Sequence, residues 1–233
     1  LADISGWNSD EKIICHRSGK QICLFTKDAK EFVIAEVTMK RMSIINVLFG
    51  KRCSMPVLET ERLLIRRFGK EDLDDFYEYA RNPNVGPNAG WKPHASKQET
   101  KEILRQFVNS TTIWAIVDKN TSKVIGSIGL HADRKRDYQN AMMLGYVLAE
   151  PYWGRGLMTE AVKRMIKYAF EELNIDLLSV YHYPHNERSK RVIEKCGFHY
   201  EGTLRRASTI YNGRVFDDVC YSLTKEEYYS EIR

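Results

Sequence analysis

The sequence predicts one α/β domain over residues 55–233, behind an extension at residues 1–54 to which no role is assigned. Three observations lead there. From Met55 onward, strand-like and helix-like segments follow one another in mixed order. The apolar run Met142–Leu148 passes directly into Pro151-Tyr152-Trp153-Gly154-Arg155-Gly156, which opens a strongly amphipathic helix. The chain then closes with two long strand-like runs around Tyr211-Asn212-Gly213, most simply an antiparallel hairpin.

Each element has its own signal. Leu63-Leu64-Ile65-Arg66-Arg67-Phe68 reads as a strand, and Lys70 to Arg81 as a helix whose first turn is acidic, which suits the helix dipole. Asn82 to Gly90 is rich in Asn, Pro and Gly and makes a connection closed by Trp91. Ser96 and Glu99 form a capping box ahead of Ile103, Leu104, Phe107 and Val108, a second helix. Trp114–Val117 and Val124–Leu130 flank a polar turn at 118–123 and predict a hairpin. Leu157, Ala161, Val162, Met165, Ile166, Ala169, Phe170 and Leu173 recur at helical spacing. Leu177–Tyr183 is a further strand and Asn186–Cys196 a further helix, stopped by Gly197.

The extension reads differently. It carries β-like runs at Lys12–Cys15, Gln21–Thr26 and Glu31–Thr38, the first two placed for a hairpin. Three short strands alone make a marginal structure. The chain begins at Leu1, and Met42 and Met55 each open a plausible segment; we expect residues 1–54 to lie upstream of a natural start at Met55. The run Ile44–Phe49 is too short and wrongly flanked for a secretory leader.

Composition removes several classes. Apolar residues at 43% suit a globular core, and 14 Gly with 6 Pro exclude collagen-like and mucin-like chains. The net charge of +5 is a small excess on 36 basic and 31 acidic residues, most of it in the extension. A basic stripe for nucleic acid is therefore not expected, although the charge is compatible with a local basic site for an anionic ligand. No run of 18 apolar residues occurs, so no membrane partner is expected. Cys15, Cys23, Cys53, Cys196 and Cys220 are odd in number and widely spaced, without metal-ligand spacing. We read them as reduced thiols in a cytoplasmic protein that holds no metal.

The chemistry lies in Gly154-Arg155-Gly156-Leu157-Met158-Thr159. Two glycines before a helix let backbone amides turn outward, and the first amides of a helix lack internal partners at the positive end of its dipole. Such a turn suits a diphosphate, with Arg155 and Thr159 as added donors. Local physics leaves an ordinary strand-to-helix turn equally open. No Lys-Ser/Thr follows the glycines as a P-loop requires, and Thr159 stands where the dinucleotide fingerprint needs its third Gly.

The resemblance adds what local physics leaves open. Tyr152-Trp153-Gly154-Arg155-Gly156-Leu157-Met158-Thr159-Glu160-Ala161 resembles the coenzyme motif of the GNAT superfamily of acetyl-CoA-dependent N-acetyltransferases. The branch it most resembles includes ribosomal-protein alanine N-acetyltransferases. Leu63-Leu64-Ile65-Arg66 after Glu61-Arg62 resembles that branch's opening strand. Asn186-Glu187-Arg188-Ser189 with Arg191 to Phe198 resembles its next helix, and Glu201 to Arg205 and Asp217 to Leu223 its closing strands. The likeness runs in order over about residues 55–225. It implies a central mixed, mostly antiparallel sheet flanked by helices.

The same resemblance implies a mechanism. The strand ending at Val147-Leu148 splays from its neighbour and pairs with the pantetheine arm, and an amide there stabilises the oxyanion. The amides of Arg155 to Thr159 hold the diphosphate. An amine, from a protein N-terminus or a small molecule, attacks directly within a ternary complex. Asn186 and Ser189 fall near the coenzyme arm, where Ser189 can donate to the departing sulfur. The segment Gly86 to His94, with Asn88 and Trp91, falls where relatives build part of the acceptor site. Candidates for the base that frees the amine of its proton are Asp217, Glu201, His182 and Tyr146. Each of these residues also has a plain structural reading, as cap, core or loop.

Two departures matter. Trp153 and Met158 stand at the ends of a motif often written Gln/Arg-x-x-Gly-x-Gly/Ala; Trp is common at the first place in this branch, and the last needs only an amide. Ile193 stands where many relatives carry the Tyr that protonates the leaving thiolate. A non-catalytic acyl-CoA-binding or sensor module of the same fold is therefore the alternative. The oligomeric state is expected to be monomer or homodimer.

Overall fold

The computed structural model describes the strands Ile14–Ser18, Gln21–Phe25 and Phe32–Glu36 together with residues 55–231. The chain divides at Met55 into two compact units. In the first, β1 (Ile14–Ser18), β2 (Gln21–Phe25) and β3 (Phe32–Glu36) form an antiparallel sheet in the order β1-β2-β3. Its strands coincide with the three β-like runs to within two or three residues. The run Ile44–Phe49 and Cys53 lie outside the described residues.

The second unit is an eight-stranded sheet with helices on both faces. A short edge strand β4 (Leu58–Glu59) precedes β5 (Leu63–Arg67), a single 3-10 turn and α1 (Leu73–Ala80). Then come α2 (Lys97–Asn109), β6 (Ile113–Asp118), β7 (Val124–Ala132) and β8 (Ala141–Leu148). α3 (Leu157–Lys167) runs on into a π-helical turn at Tyr168–Glu172. β9 (Leu177–His182), α4 (Glu187–Lys195), β10 (His199–Thr209), β11 (Val215–Thr224) and α5 (Lys225–Glu231) complete the order. The spatial order is β10-β11-β9-β8-β7-β6-β5-β4, antiparallel except for β8 beside β9. β4 and α5 are too short to stand out from the sequence.

Strand alternation divides the core in two. On β6, Trp114 and Ile116 point to one face with Leu157, Ala161, Met165 and Ile193 of α3 and α4. Ala115 and Val117 point to the other, with Phe76, Tyr79 and Leu104 of α1 and α2. Both faces of β6 and β7 are covered, so these strands read as near-continuous apolar runs. At α2 the Ser96 hydroxyl accepts from the Glu99 amide at 3.2 Å, while the Glu99 carboxylate takes the Ala95 amide at 2.7 Å. The reciprocal half of the capping box is thus shifted by one residue. Gly197 ends α4 at φ +81°, a conformation that glycine adopts without Cβ strain.

Candidate active site

The site begins where β8 and β9 part. They pair in parallel at Ala141–Leu177, Met142–Leu178 and Met143–Ser179, and then diverge. Along its other edge β8 stays paired with β7 from Ala132–Met142 to Gly126–Leu148. The sheet therefore holds Leu144–Leu148 firmly from one side while their other edge faces a cavity of about 320 Å³.

The turn after β8 closes one end of this cavity. Gly154 and Gly156 sit at φ +74° and +78°, where an L side chain is strained, and Gly156 caps α3. Among the described residues the amides of Gly154 to Thr159 donate to no carbonyl or side chain; the first intrahelical bond is from Glu160 to the Gly156 carbonyl at 3.0 Å. These donors have the character expected of an anion site at a helix N-terminus.

Three residues, Trp153, Arg188 and Arg62, hold the turn in place. The Trp153 indole donates to the Leu148 carbonyl at 2.7 Å, tying the turn to the end of β8. The Arg188 guanidinium lies 4.5 Å from the Trp153 ring centre and links α4 to the same corner. From the start of β5, the Arg62 side chain donates to the Arg155 carbonyl at 3.0 Å and to the Glu160 carboxylate at 2.7 Å. The Arg62 amide adds a bond to Glu160 at 2.9 Å. Burial acts to raise the Glu160 pKa, but the bonds from Thr60 and Arg62 outweigh it and leave the group below its ordinary value. Glu160 is therefore a fixed anion in the first turn of α3, and Arg62 is the buckle between strand and turn.

The opposite wall is a hydrogen-bonded row. Asn186 caps α4 by accepting from the Ser189 amide at 3.2 Å, and its own Nδ2 donates to the Asn88 carbonyl at 3.3 Å. The Ser189 hydroxyl lies 2.8 Å from the Tyr146 hydroxyl. Burial pushes the Tyr146 phenol well above its ordinary value, and the Ser189 contact only partly opposes it. Tyr146 therefore remains a donor at neutral pH. When it donates to Ser189, the serine proton is free to point into the cavity.

The segment carrying Asn88 is anchored independently. Asn82 and Asn84 donate to the Glu150 carboxylate at 2.8 and 3.0 Å, and these bonds hold Glu150 below its ordinary pKa. The cavity wall includes Asn88, Tyr146, Val147, Leu148, Trp153, Gly154, Gly156, Leu157, Met158, Thr159, Asn186 and Ser189. Two residues that the sequence points to fall elsewhere. The Arg155 guanidinium lies 5.3 Å from the Tyr152 ring centre, and Arg155 is not part of the wall. Trp91 packs beneath its own loop, 5.3 Å from His94 and against Gly86.

The candidate bases separate in the same way. Glu201 pairs with Arg136 and accepts from Ser222, and Asp217 accepts from the Arg206 amide, both outside this cavity. His182 and Tyr146 do line it. Tyr183 lines it too, with its phenol pushed by burial up to about 12. Arg188 stands in the Asn186–Ser189 motif without a role read for it, and Tyr183 carries no motif of its own; the divergence of β9 and the start of α4 bring them here.

A profile of the acetyltransferase (GNAT) domain matches residues 62–199. The chain belongs to the GNAT family of N-acetyltransferases. An uncharacterized N-acetyltransferase p20 of Bacillus licheniformis is 30% identical over 181 residues, covering 75% of this chain and 99% of that protein. The crystal structure of the ribosomal-protein-S5-alanine acetyltransferase from Vibrio fischeri superposes with a TM-score of 0.62 at 27% identity, over 74% of this chain and 98% of that one. The microcin C7 self-immunity acetyltransferase MccE, solved with acetyl-CoA and AMP, shares the fold at a TM-score of 0.60 and 19% identity, over 71% and 93% of the two chains. Acetyl transfer from acetyl-CoA is the family's chemistry, and this GNAT chain carries the splayed strands and the amide-lined turn. Among its described residues no helix is long and apolar enough to cross a membrane, and no three His, Cys, Asp or Glu gather as a metal site.

Proposed function

We propose that this chain transfers the acetyl group of acetyl-CoA to a primary amine, on a protein N-terminus or a small molecule, by direct attack in a ternary complex. The observation that carries the reading is the continuity of one free strand edge, Leu144–Leu148, with the unpartnered amides of Gly154–Thr159 around a single cavity.

The residues divide the work. The amides of the turn hold the diphosphate, and Arg62 with Glu160 keeps them in register. The free edge of β8 aligns the arm, and an amide near Val147 and Leu148 polarises the thioester carbonyl and takes the negative charge that develops on it. Attack of the neutral amine nitrogen forms the C–N bond and breaks the C–S bond. The departing thiolate takes a proton from the Ser189 hydroxyl as Tyr146 donates to Ser189 along their 2.8 Å contact, and the proton shed by the new amide nitrogen returns through water to the Tyr146 oxygen. This pair supplies from β8 and α4 the acid that Ile193 cannot. Positioning of two bound reactants gives most of the acceleration.

The non-catalytic reading rests on Ile193 alone. One assay separates the two: free thiol release from acetyl-CoA, measured with small amines and with N-terminal peptides. Amine-dependent thiol release with a matching mass gain of one acetyl group is expected. Tight coenzyme binding with no release across the panel would leave the sensor reading standing instead.

A further inference from the structure

One buried polar atom in the cavity wall has no use in the mechanism above. His182 ends β9 and is only 5% exposed. Its Nδ1 lies 2.8 Å from the Tyr183 carbonyl. A carbonyl only accepts, so the proton of a neutral ring sits on Nδ1, and Nε2 carries a lone pair. Nε2 is buried and meets no donor among the described residues. An unsatisfied buried acceptor is costly, so such atoms usually await a partner.

The side on which His182 lies limits what that partner is. Its register partner on β11 is Val219, and the Val180–Tyr221 and Leu178–Leu223 pairs continue the same face. That face packs on Leu157 and Ile193 of α3 and α4. The Tyr221 ring lies 5.7 Å from the imidazole and walls it on the β11 side. Tyr146, which bonds Ser189, packs against the same cluster. His182 is thus on the flank that holds the amide-lined turn, whereas Tyr181 and Tyr183 alternate to the other flank with Phe216. On the acetyl-CoA reading of the cavity, the ligand group on the α3 and α4 flank is the coenzyme arm, not the incoming amine.

We propose that His182 is a coenzyme-positioning residue whose Nε2 accepts a hydrogen bond from an amide N–H of the pantetheine arm. The arm carries secondary amides, and this bond sets how deep the thioester lies between β8 and β9. The inference rests on the acetyl-CoA reading of the cavity. It assigns His182 a role as a neutral acceptor rather than as the base for the amine.

Calorimetry with two probes tests it: coenzyme A, and the nucleotide diphosphate half of the coenzyme that lacks the arm. His182→Leu should weaken coenzyme A by about 10-fold, the scale of one hydrogen bond to a buried acceptor, and leave the nucleotide half unchanged. His182→Gln, which keeps an acceptor, should recover most of the loss. In the wild-type protein, the ring 15N signal of Nε2 should move when coenzyme A is added and stay still with the nucleotide half. The proposal is overturned if His182→Leu binds coenzyme A as tightly as wild type, if it loses both probes equally, or if the Nε2 signal is unmoved. If the wild-type protein binds neither probe, the acetyl-CoA reading itself falls and the proposal with it. Should the leucine variant not fold, the wild-type nitrogen spectrum decides.

Discussion

The two edges of β8 make the instructive comparison. Against β7 the strand is paired from Met142 to Leu148, whereas against β9 pairing stops after Met143. One edge is structure and the other is a row of backbone groups that no strand pairs. The cavity's two walls differ in a similar way. The wall that we assign to the coenzyme is built mainly from main chain, at Leu144–Leu148 and Gly154–Thr159. The wall nearest Asn88 is built from side chains that converge from α4, β8 and the connection after α1. A wall made of backbone tolerates changes of side chain but not of backbone conformation; a wall made of side chains responds the other way.

The sharpest way to break this contrast is at the turn. Gly156→Val forces a β-branched residue to φ +78°, where the left-handed region is closed to it. Coenzyme affinity should fall by about 100-fold or more, while Met158→Leu, which alters only a side chain, should change it by less than about 3-fold. Calorimetry of both variants checks the pair. Equal losses would mean that the side chain, not the amide geometry, makes this wall.

The next effect is at the opposite wall. Ser189→Ala should lower kcat by about 10- to 100-fold with little change in the KM for acetyl-CoA, and Tyr146→Phe should lower it less. The double variant should be no worse than Ser189→Ala, since the two act in series. Additive losses would separate them.

These two walls also explain what is legible in the sequence. The turn announces itself because backbone chemistry leaves a residue signature: two glycines at fixed spacing before an amphipathic helix. The element order is legible for the same reason, since periodicity and caps are local. What is not legible depends on long-range placement. That Glu201 and Asp217 spend their carboxylates on Arg136, Ser222 and the Arg206 amide follows from the β10–β11 hairpin, not from any motif. Trp91 reads as a substrate-loop residue, yet it fills the space against Gly86 and His94. Arg62 lies about a hundred residues from Glu160, so its grip on the turn has no local trace.

That grip gives the third prediction. Arg62→Ala should weaken the coenzyme by about 10-fold, and Arg62→Lys should not restore it, because an ammonium cannot serve the Arg155 carbonyl and the Glu160 carboxylate in one plane. Full recovery with lysine would reduce the contact to simple charge pairing.

The smallest effect concerns pH and the packed loop. His94 is buried with its ring bonded to the Thr100 hydroxyl at 2.9 Å, and burial lowers its pKa, with Glu99 opposing. A histidine that is harder to protonate when folded favours the unfolded state as the pH falls below its ordinary value of 6.5. Stability should be full above that value and decline towards the lower folded pKa. Thermal melts from pH 8 to 5 should show a fall that His94→Gln reduces by on the order of a degree or two. An unchanged slope would remove His94 from the account.

The most direct measurement is an amide 1H–15N spectrum recorded with and without acetyl-CoA. Large shifts should appear together at Gly154 to Thr159 and at Leu144 to Leu148, and the β7 amides that face β8 should barely move. Saturating ligand that leaves the glycine turn undisturbed, or that perturbs only surfaces away from the parting of β8 and β9, would contradict the account.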